Sequence, residues 1–265
     1  MTTTHLTLPQ AIGRPVRPPR VTSASGQIAL RALRKYVRTP SLCVMAVVQS
    51  AMFLFSFRYV FGGAIHVGTT SYVDFLVPSY VATIVLFTGG GVAVAVAEDK
   101  TAGFTDRLLS LPVSRSALVL GRTIADSLTN VWSILTTAAF GFAFGFRLPG
   151  SWEDGLAAFG LCVGYAVVFT VVFVVMGLFA PNAQAAQGMS LIAFVFAFIS
   201  SAYVPATSMP GWLQPFSKYQ PITPMVDAVR SLLTGGSSDV GLALAWSVLL
   251  VVVFTPVAVL RYRRA

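Results

Sequence analysis

Charged residues are scarce in this sequence. Only 10% of its 265 residues are Asp, Glu, Lys or Arg, and 55% are apolar, whereas an average soluble domain has about 25% charged and roughly 45–50% apolar residues. This composition excludes a soluble globular protein of this size. The apolar residues fall into six runs, each long enough to cross about 30 Å of hydrocarbon as a helix. The chain is therefore expected to cross a membrane several times.

The sequence also lacks the motifs of an independent enzyme. It has no G-x-x-x-x-G-K-S/T phosphate loop, no H-E-x-x-H zinc motif and no G-x-S-x-G nucleophile elbow. Its only histidines, His5 and His66, fall in the N-terminal tail and in a predicted external loop, so they build neither a serine–histidine pair nor a metal site. Cys43 and Cys162 fall inside predicted spans and are expected to pack as small apolar residues. We expect no catalysis, no bound metal and no ATP site in this chain.

The predicted fold is an all-α membrane protein with six transmembrane helices. These spans cover about residues 41–61, 75–97, 123–146, 155–180, 185–204 and 240–260. Residues 1–24, rich in Thr, Pro and Arg, are expected to form a disordered cytoplasmic tail, and residues 25–265 form the transmembrane domain. The Pro-rich and aromatic-rich segment before the last span predicts short extracellular helices at the membrane interface.

Basic residues lie at the edges of the apolar runs. The formal net charge is +9, but these residues form neither one stripe nor a nucleic-acid motif, so no nucleic-acid partner is expected. Seven basic residues precede the first span, four lie between the second and third, and three follow the last, against four on the opposite side. This asymmetry predicts that both termini are cytoplasmic.

The segment of residues 25–39 predicts a helix that lies on the membrane surface. Arg31, Arg34, Lys35 and Arg38 recur at helical spacing, and apolar residues fill the other face. Each cation near anionic lipids contributes about 1 kcal/mol of attraction. A solvated juxtamembrane stretch is the alternative.

Two groups of residues inside the spans are candidates for a translocation path or a gate. Gly89, Gly90 and Gly91 lie in the middle of the second span, where small residues permit close helix packing, a hinge or a pore lining. Asp126 and Asn130 lie one turn apart in the third span. An ionisable residue inside a membrane is a functional candidate, although Asp126 is also close enough to the interface to pair with Arg122.

Two segments carry a resemblance to a known family. The first runs from Glu98 through Gly103, Asp106–Leu109 and Leu111–Arg115 to Gly121 and Arg122. It resembles the cytoplasmic loop of ABC type-2 exporter permeases, in particular the daunorubicin-resistance branch. The second comprises Met209–Gln214, Pro221–Thr223 and Ala228–Arg230, and it is similar to the segment between the fifth and sixth spans of that family.

The resemblance implies a half-transporter that works with separate subunits. Two six-helix permeases, either two copies of this chain or this chain and a related one, would surround a translocation path, and two ABC ATP-binding subunits would hold ATP and Mg²⁺. A cytoplasmic coupling helix would occupy about residues 100–111 and end at Pro112. The residues that the resemblance assigns to ATPase coupling are Glu98, Gly103, Arg107, Leu108, Leu111, Pro112, Arg115, Gly121 and Arg122. A solvated loop without a partner is the alternative for this segment.

The implied function is export of an amphipathic drug, antibiotic or lipid through a bacterial plasma membrane. A polysaccharide or lipid-linked glycan exporter permease shares the architecture and stays an alternative. An ion-driven carrier would need more intramembrane acidic residues than Asp126 alone. A membrane-embedded enzyme that acts on lipids would need an acidic or histidine cluster at one membrane face, which the scattered acidic residues do not supply.

Overall fold

In a computed structural model the chain folds into helices joined by short connections. The structure describes Leu30, Arg34 and residues 40–63, 71–103, 115–148, 151–236 and 240–261, and these residues contain no β-strand. The helices are α1 (Pro40–Ser56), α2 (Tyr72–Thr101), α3 (Arg115–Ala143), α4 (Trp152–Phe179), α5 (Ala183–Ile199), α6 (Gln214–Tyr219), α7 (Ile222–Thr234) and α8 (Val240–Arg261). A π-helical turn (Phe57–Phe61) extends α1, and a 3₁₀ turn (Ala206–Ser208) precedes α6.

Local sequence signals explain where several helices begin and end. At the start of α4 the Ser151 hydroxyl accepts a hydrogen bond from the backbone N–H of Asp154, and the Asp154 carboxylate accepts from the backbone N–H of Ser151, which is a capping box. Asn182 caps α5 by accepting from the N–H of Ala185 at 2.8 Å. Gly235 ends α7 with a φ of 74°, a left-handed conformation that favours glycine.

Among the residues that the structure describes, four helical stretches are long and apolar enough to cross a membrane: Cys43–Phe61, Tyr72–Thr101, Trp152–Phe179 and Val240–Arg261. The helices α3 and α5 coincide with the third and fifth predicted spans. However, α3 interrupts its apolar residues with Ser, Thr, Asn and Asp, and α5 has only 17 residues. The described part of the chain is thus helical, with four candidate spans, and the six-span layout stays a prediction.

The core of the molecule is built around α2, which packs against α3, α4, α5 and α7. In the most apolar window of α2, 72% of residues are buried inside the protein, and in α4 67% are. The corresponding value for α1 and for α8 is 11%, so nearly all residues of these two helices are at least partly exposed. Exposed apolar side chains are favourable in a membrane, because lipid tails are as apolar as the protein core.

Small residues let α2 and α4 approach closely. A Cβ added at Gly177 of α4 would lie 2.5 Å from the carbonyl oxygen of Ala93 on α2, and a Cβ at Gly89 of α2 would overlap the ring of Phe173 on α4. The helix α1 contacts α2 through aromatic rings instead. Phe53 stacks on Tyr80 of α2, with ring centroids 4.1 Å apart.

Candidate functional site

Three charged side chains connect the end of α2 to the beginning of α3. The guanidinium of Arg122 forms ion pairs with Asp99 of α2 and with Asp126 of its own helix, the latter with 2.9 Å between Nε and Oδ2. We call Asp99, Arg122 and Asp126 the Arg122 cluster. Its side chains are 17–37% exposed, Asp126 least and Asp99 most. The cluster therefore holds together the two helices that flank residues 104–114, the centre of the predicted coupling segment.

Lys100, the residue after Asp99, connects α2 to the end of α4. Its Nζ donates hydrogen bonds to the carbonyl oxygens of Leu178 and Ala180, each at 3.2 Å. Carbonyl groups in the last turn of a helix have no intrahelical partner, and a cation is favourable there. The end of α2 thus contacts both α3 and α4.

The predicted coupling residues fall partly within the described structure. Glu98 is exposed near the end of α2, and Gly103 follows that helix with a φ of 66°, which favours glycine. Gly121 is buried in α3, and Arg115 is the first residue of that helix. Their coupling role stays a prediction.

Other sequence predictions lie outside the described residues. These are the coupling residues Arg107, Leu108, Leu111 and Pro112, and the surface-helix residues Arg31, Lys35 and Arg38. Arg34 is helical and exposed.

Asn130 lies apart from the Arg122 cluster in a buried polar group that joins three helices. Thr88 of α2 donates to the Asn130 side-chain oxygen, and the Asn130 amide nitrogen donates to the Thr170 hydroxyl of α4 at 3.3 Å. Asn130 is 1% exposed. A buried amide that lost these partners would be costly, so Asn130 fixes the relative positions of α2, α3 and α4.

The three adjacent glycines of α2 have different surroundings. Gly89 faces Phe173 of α4 without room for a Cβ, and a Cβ at Gly90 would lie 3.4 Å from the Cβ of Ser190 on α5. Gly91 is exposed, and a Cβ there would meet nothing within 4 Å. The helix continues through all three residues. Gly89 thus serves close packing, Gly90 leaves room for a Cβ in ordinary contact with Ser190, and Gly91 faces open space.

A second charged group lies near the beginning of α2, and sequence reasoning missed it. Arg230 of α7 pairs with Asp227 at 2.8 Å and donates to the Ser79 hydroxyl at 2.5 Å and to the Ser201 carbonyl oxygen at 2.8 Å. Its guanidinium carbon lies 3.8 Å from the centre of the Phe75 ring, a cation–π geometry. We call Ser79, Ser201, Asp227 and Arg230 the Arg230 cluster.

The Arg230 cluster joins three segments that are distant in sequence. The Ser201 hydroxyl also donates to Asp227 at 2.9 Å, so residues after α5 are bonded to α7 as well as to Arg230. Burial lowers the pKa of Arg230 to about 10, with the Asp227 carboxylate opposing the shift, so the guanidinium stays charged at neutral pH. The signal in the sequence was the spacing of Asp227 and Arg230, which places opposite charges on one face of a helix.

Comparisons with known proteins agree with the resemblance. The model of the family described as "ABC-2 type transporter" matches residues 26–234. The daunorubicin resistance ABC transporter permease protein DrrB1 of Streptomyces coeruleorubidus is 29% identical over 252 residues, which cover 93% of this chain and 89% of that protein. The probable doxorubicin resistance ABC transporter permease protein DrrC of Mycobacterium tuberculosis is 26% identical over 239 residues, 89% of this chain and 86% of the relative.

A more distant relative, the putative transport permease ycf38 of Cyanophora paradoxa, is 24% identical over 211 residues, 76% of this chain and 70% of its own length. The family match covers most of the chain and includes both segments on which the resemblance was based. The resemblance to daunorubicin-resistance permeases is confirmed, and the chain belongs to the ABC-2 type transporter family.

Proposed function

We propose that this chain is the membrane subunit of an ATP-driven exporter that moves an amphipathic drug, antibiotic or lipid out of a bacterial cell. Membership of the ABC-2 type transporter family supports a role as a permease. The names of two relatives, which refer to daunorubicin and doxorubicin resistance, favour an amphipathic cargo over a polysaccharide. ATP and Mg²⁺ are held by a separate ABC ATP-binding subunit, and this chain binds no nucleotide.

The observation that carries the mechanism is the continuity of α2 between the two charged clusters. Asp99 belongs to the Arg122 cluster, and Ser79, twenty residues earlier on the same helix, belongs to the Arg230 cluster. At 1.5 Å per residue these positions are about 30 Å apart along the helix axis. A movement of one end of such a helix is transmitted to the other end, because α2 is buried and cannot bend freely.

In the proposed cycle the coupling segment is cytoplasmic, as the distribution of basic residues predicts, and it contacts the ATPase subunit. Closure of two ATPase subunits on ATP displaces this segment and with it the Arg122 cluster. The helices of two permeases, arranged as six spans each, then change from inward-facing to outward-facing. Transport is directional because the cargo binds the two states with different affinities.

An ion-driven carrier is the competing function, and Asp126 is the residue on which it depends. In the structure Asp126 is paired with Arg122, one turn before it in the first half of α3, so its carboxylate is not free. This pairing favours a structural or coupling role for Asp126 over a role in ion binding.

The decisive experiment is reconstitution of the chain with the ABC ATPase encoded beside it. The two proteins are co-purified, placed in nanodiscs, and assayed for ATP hydrolysis with a series of amphipathic drugs and lipids. A stable complex whose hydrolysis rises with particular compounds is expected, and an ATPase variant without its catalytic carboxylate is the control. Failure to form a complex, or cargo movement driven by an ion gradient without ATP, would overturn the proposal.

A further inference from the structure

An apolar cavity of about 320 Å³ lies between the second half of α3 and the first half of α4. Its wall includes Val77 of α2, Ile134 and Phe142 of α3, Ala158 and Cys162 of α4, and Leu233 of α7. No charged, hydroxyl or amide side chain occurs among the described residues that line it. Its volume is within the range of roughly 300–1,000 Å³ found for ligand pockets in proteins.

The cavity extends from the protein surface into the core. At its mouth, Phe142, Leu156 and Trp152 are 54%, 58% and 70% exposed, whereas Ala158 and Cys162 at its inner wall are 2% and 0% exposed. The mouth is part of the exposed faces of α3 and α4, and α4 is a candidate membrane span. An apolar molecule can thus enter sideways from the bilayer.

Gly155 shapes one wall of the cavity. A Cβ at Gly155 would lie 3.2 Å from Cδ2 of Leu148, so a glycine there lets Leu148 fold back against the first turn of α4 and form part of the wall. Arg147, between the lining residues Phe146 and Leu148, is exposed. An exposed cation therefore lies next to two wall residues in the chain. Of the neighbouring acids, Asp154 is engaged in the capping box of α4, and Glu153 is exposed.

We propose that this cavity is a binding site for one acyl chain of a membrane phospholipid, whose phosphate lies against Arg147. A wall without charged, hydroxyl or amide side chains offers water few partners, whereas apolar cavities take up apolar molecules. The acyl chain is the apolar molecule present at the mouth, and Trp152 is of the type that is enriched at the level of lipid headgroups. The lipid is a resident ligand, so the proposal goes beyond export and does not depend on the cargo.

Native mass spectrometry of the purified chain tests this site with two matched variants. Ala158→Leu fills the inner part of the cavity. The control, Ala157→Leu, adds the same side chain at the preceding residue, which is exposed and outside the lining. After phosphatidylglycerol is added and the protein is washed in detergent, the unaltered chain and Ala157→Leu are expected to retain one more phospholipid per chain than Ala158→Leu. Equal retention by all three would overturn the proposal.

A second measurement uses the unaltered chain and so does not depend on the folding of a variant. The chain is placed in nanodiscs that contain a phosphatidylglycerol with a photoreactive diazirine in its acyl chain. After irradiation, the labelled residues are identified by peptide mass spectrometry. Enriched labelling of the inner-wall residues Ala158 and Cys162 is expected, and Arg147→Gln should reduce it. Labelling confined to outward faces such as that of α8 would show that the cavity is empty of lipid.

Discussion

The two charged clusters hold opposite ends of the same helix in different ways. In the Arg122 cluster one guanidinium is shared by two carboxylates, and all three residues belong to the two helices next to the coupling segment. In the Arg230 cluster the guanidinium has one carboxylate and is completed by a serine hydroxyl, a backbone carbonyl and the face of Phe75. The first has an excess of negative charge, whereas the second is neutral.

This difference indicates that the two clusters have different roles, one in stability and one in coupling. The Arg230 cluster bonds residues that are 151 and 29 positions apart in the chain, so it maintains the tertiary fold at that end. The Arg122 cluster joins neighbouring helices across a short connection, and its bonds can be exchanged without unfolding the rest. We therefore expect substitutions in the Arg230 cluster to reduce stability first, and substitutions in the Arg122 cluster to reduce coupling first.

The largest loss of stability is expected for Arg230→Met. Methionine keeps much of the side-chain length but leaves Asp227, the Ser79 hydroxyl and the Ser201 carbonyl oxygen without their partner. Asp227 is 40% exposed, so water replaces much of its bond. Ser79 and Ser201 are buried, and each lost hydrogen bond to a charged group costs about 1.5–3 kcal/mol, so the two together cost about 3 kcal/mol or more. Thermal unfolding in detergent measures the effect. Lys218→Met, an exposed cation on α6, is the matched control and should leave the transition nearly unchanged. Equal transitions for both variants would show that the Arg230 cluster does not maintain the fold.

Arg122→Gln is expected to reduce the free energy of unfolding by less than Arg230→Met does. The expected loss is roughly 1.5–3 kcal/mol, the range for hydrogen bonds to charged groups. Its larger effect should be on coupling, because Asp99 and Asp126 then repel each other and the ends of α2 and α3 separate. Drug-stimulated ATP hydrolysis by the assembled complex is the measurement. Arg122→Lys, which keeps the charge but not two separate N–H directions, should retain part of the stimulation. Normal coupling in Arg122→Gln would make the cluster purely structural.

Between the two clusters, Gly89 and Gly91 provide a test of how rigidly α2 is held. Gly89→Ala places a Cβ on the ring of Phe173, and overpacking of this kind costs roughly 1–3 kcal/mol. Gly91→Ala has open space and should change stability by less than about 0.5 kcal/mol. Unfolding of both variants in detergent gives the comparison. If Gly89→Ala were as stable as the parent, α2 and α4 would be loosely packed, and α2 could not transmit movement along its length.

The sequence was sufficient to predict the helical class, because apolar runs of this length have no other stable form in a membrane. The pairing of Asp126 with Arg122 was also predictable, since residues four apart lie on one helix face. The partner Asp99 was not, because its contact depends on how α2 and α3 approach each other. The bond from Arg230 to Ser79 likewise spans 151 residues, and no local pattern predicts such a contact.

The three adjacent glycines of α2 also show what a sequence pattern cannot predict. Three adjacent glycines in a span predict close packing, a hinge or a pore lining equally well, since all three need small residues. Only the positions of Phe173 and Ser190 on α4 and α5 separate Gly89 and Gly90 from Gly91. Packing partners from other helices are therefore the information that the sequence pattern lacks.

The smallest effect on stability is expected at Arg107, which lies outside the described residues and whose role follows from the resemblance alone. Arg107→Glu reverses a charge that we expect to face acidic groups of the ATPase subunit. Surface substitutions away from packed residues usually change stability by less than about 0.5 kcal/mol, so insertion and unfolding should be unchanged while drug-stimulated hydrolysis falls. Arg107→Lys, which preserves the charge, is the control. Unchanged transport by Arg107→Glu would remove Arg107 from the coupling surface and leave the Arg122 cluster as the nearest tested connection to the ATPase.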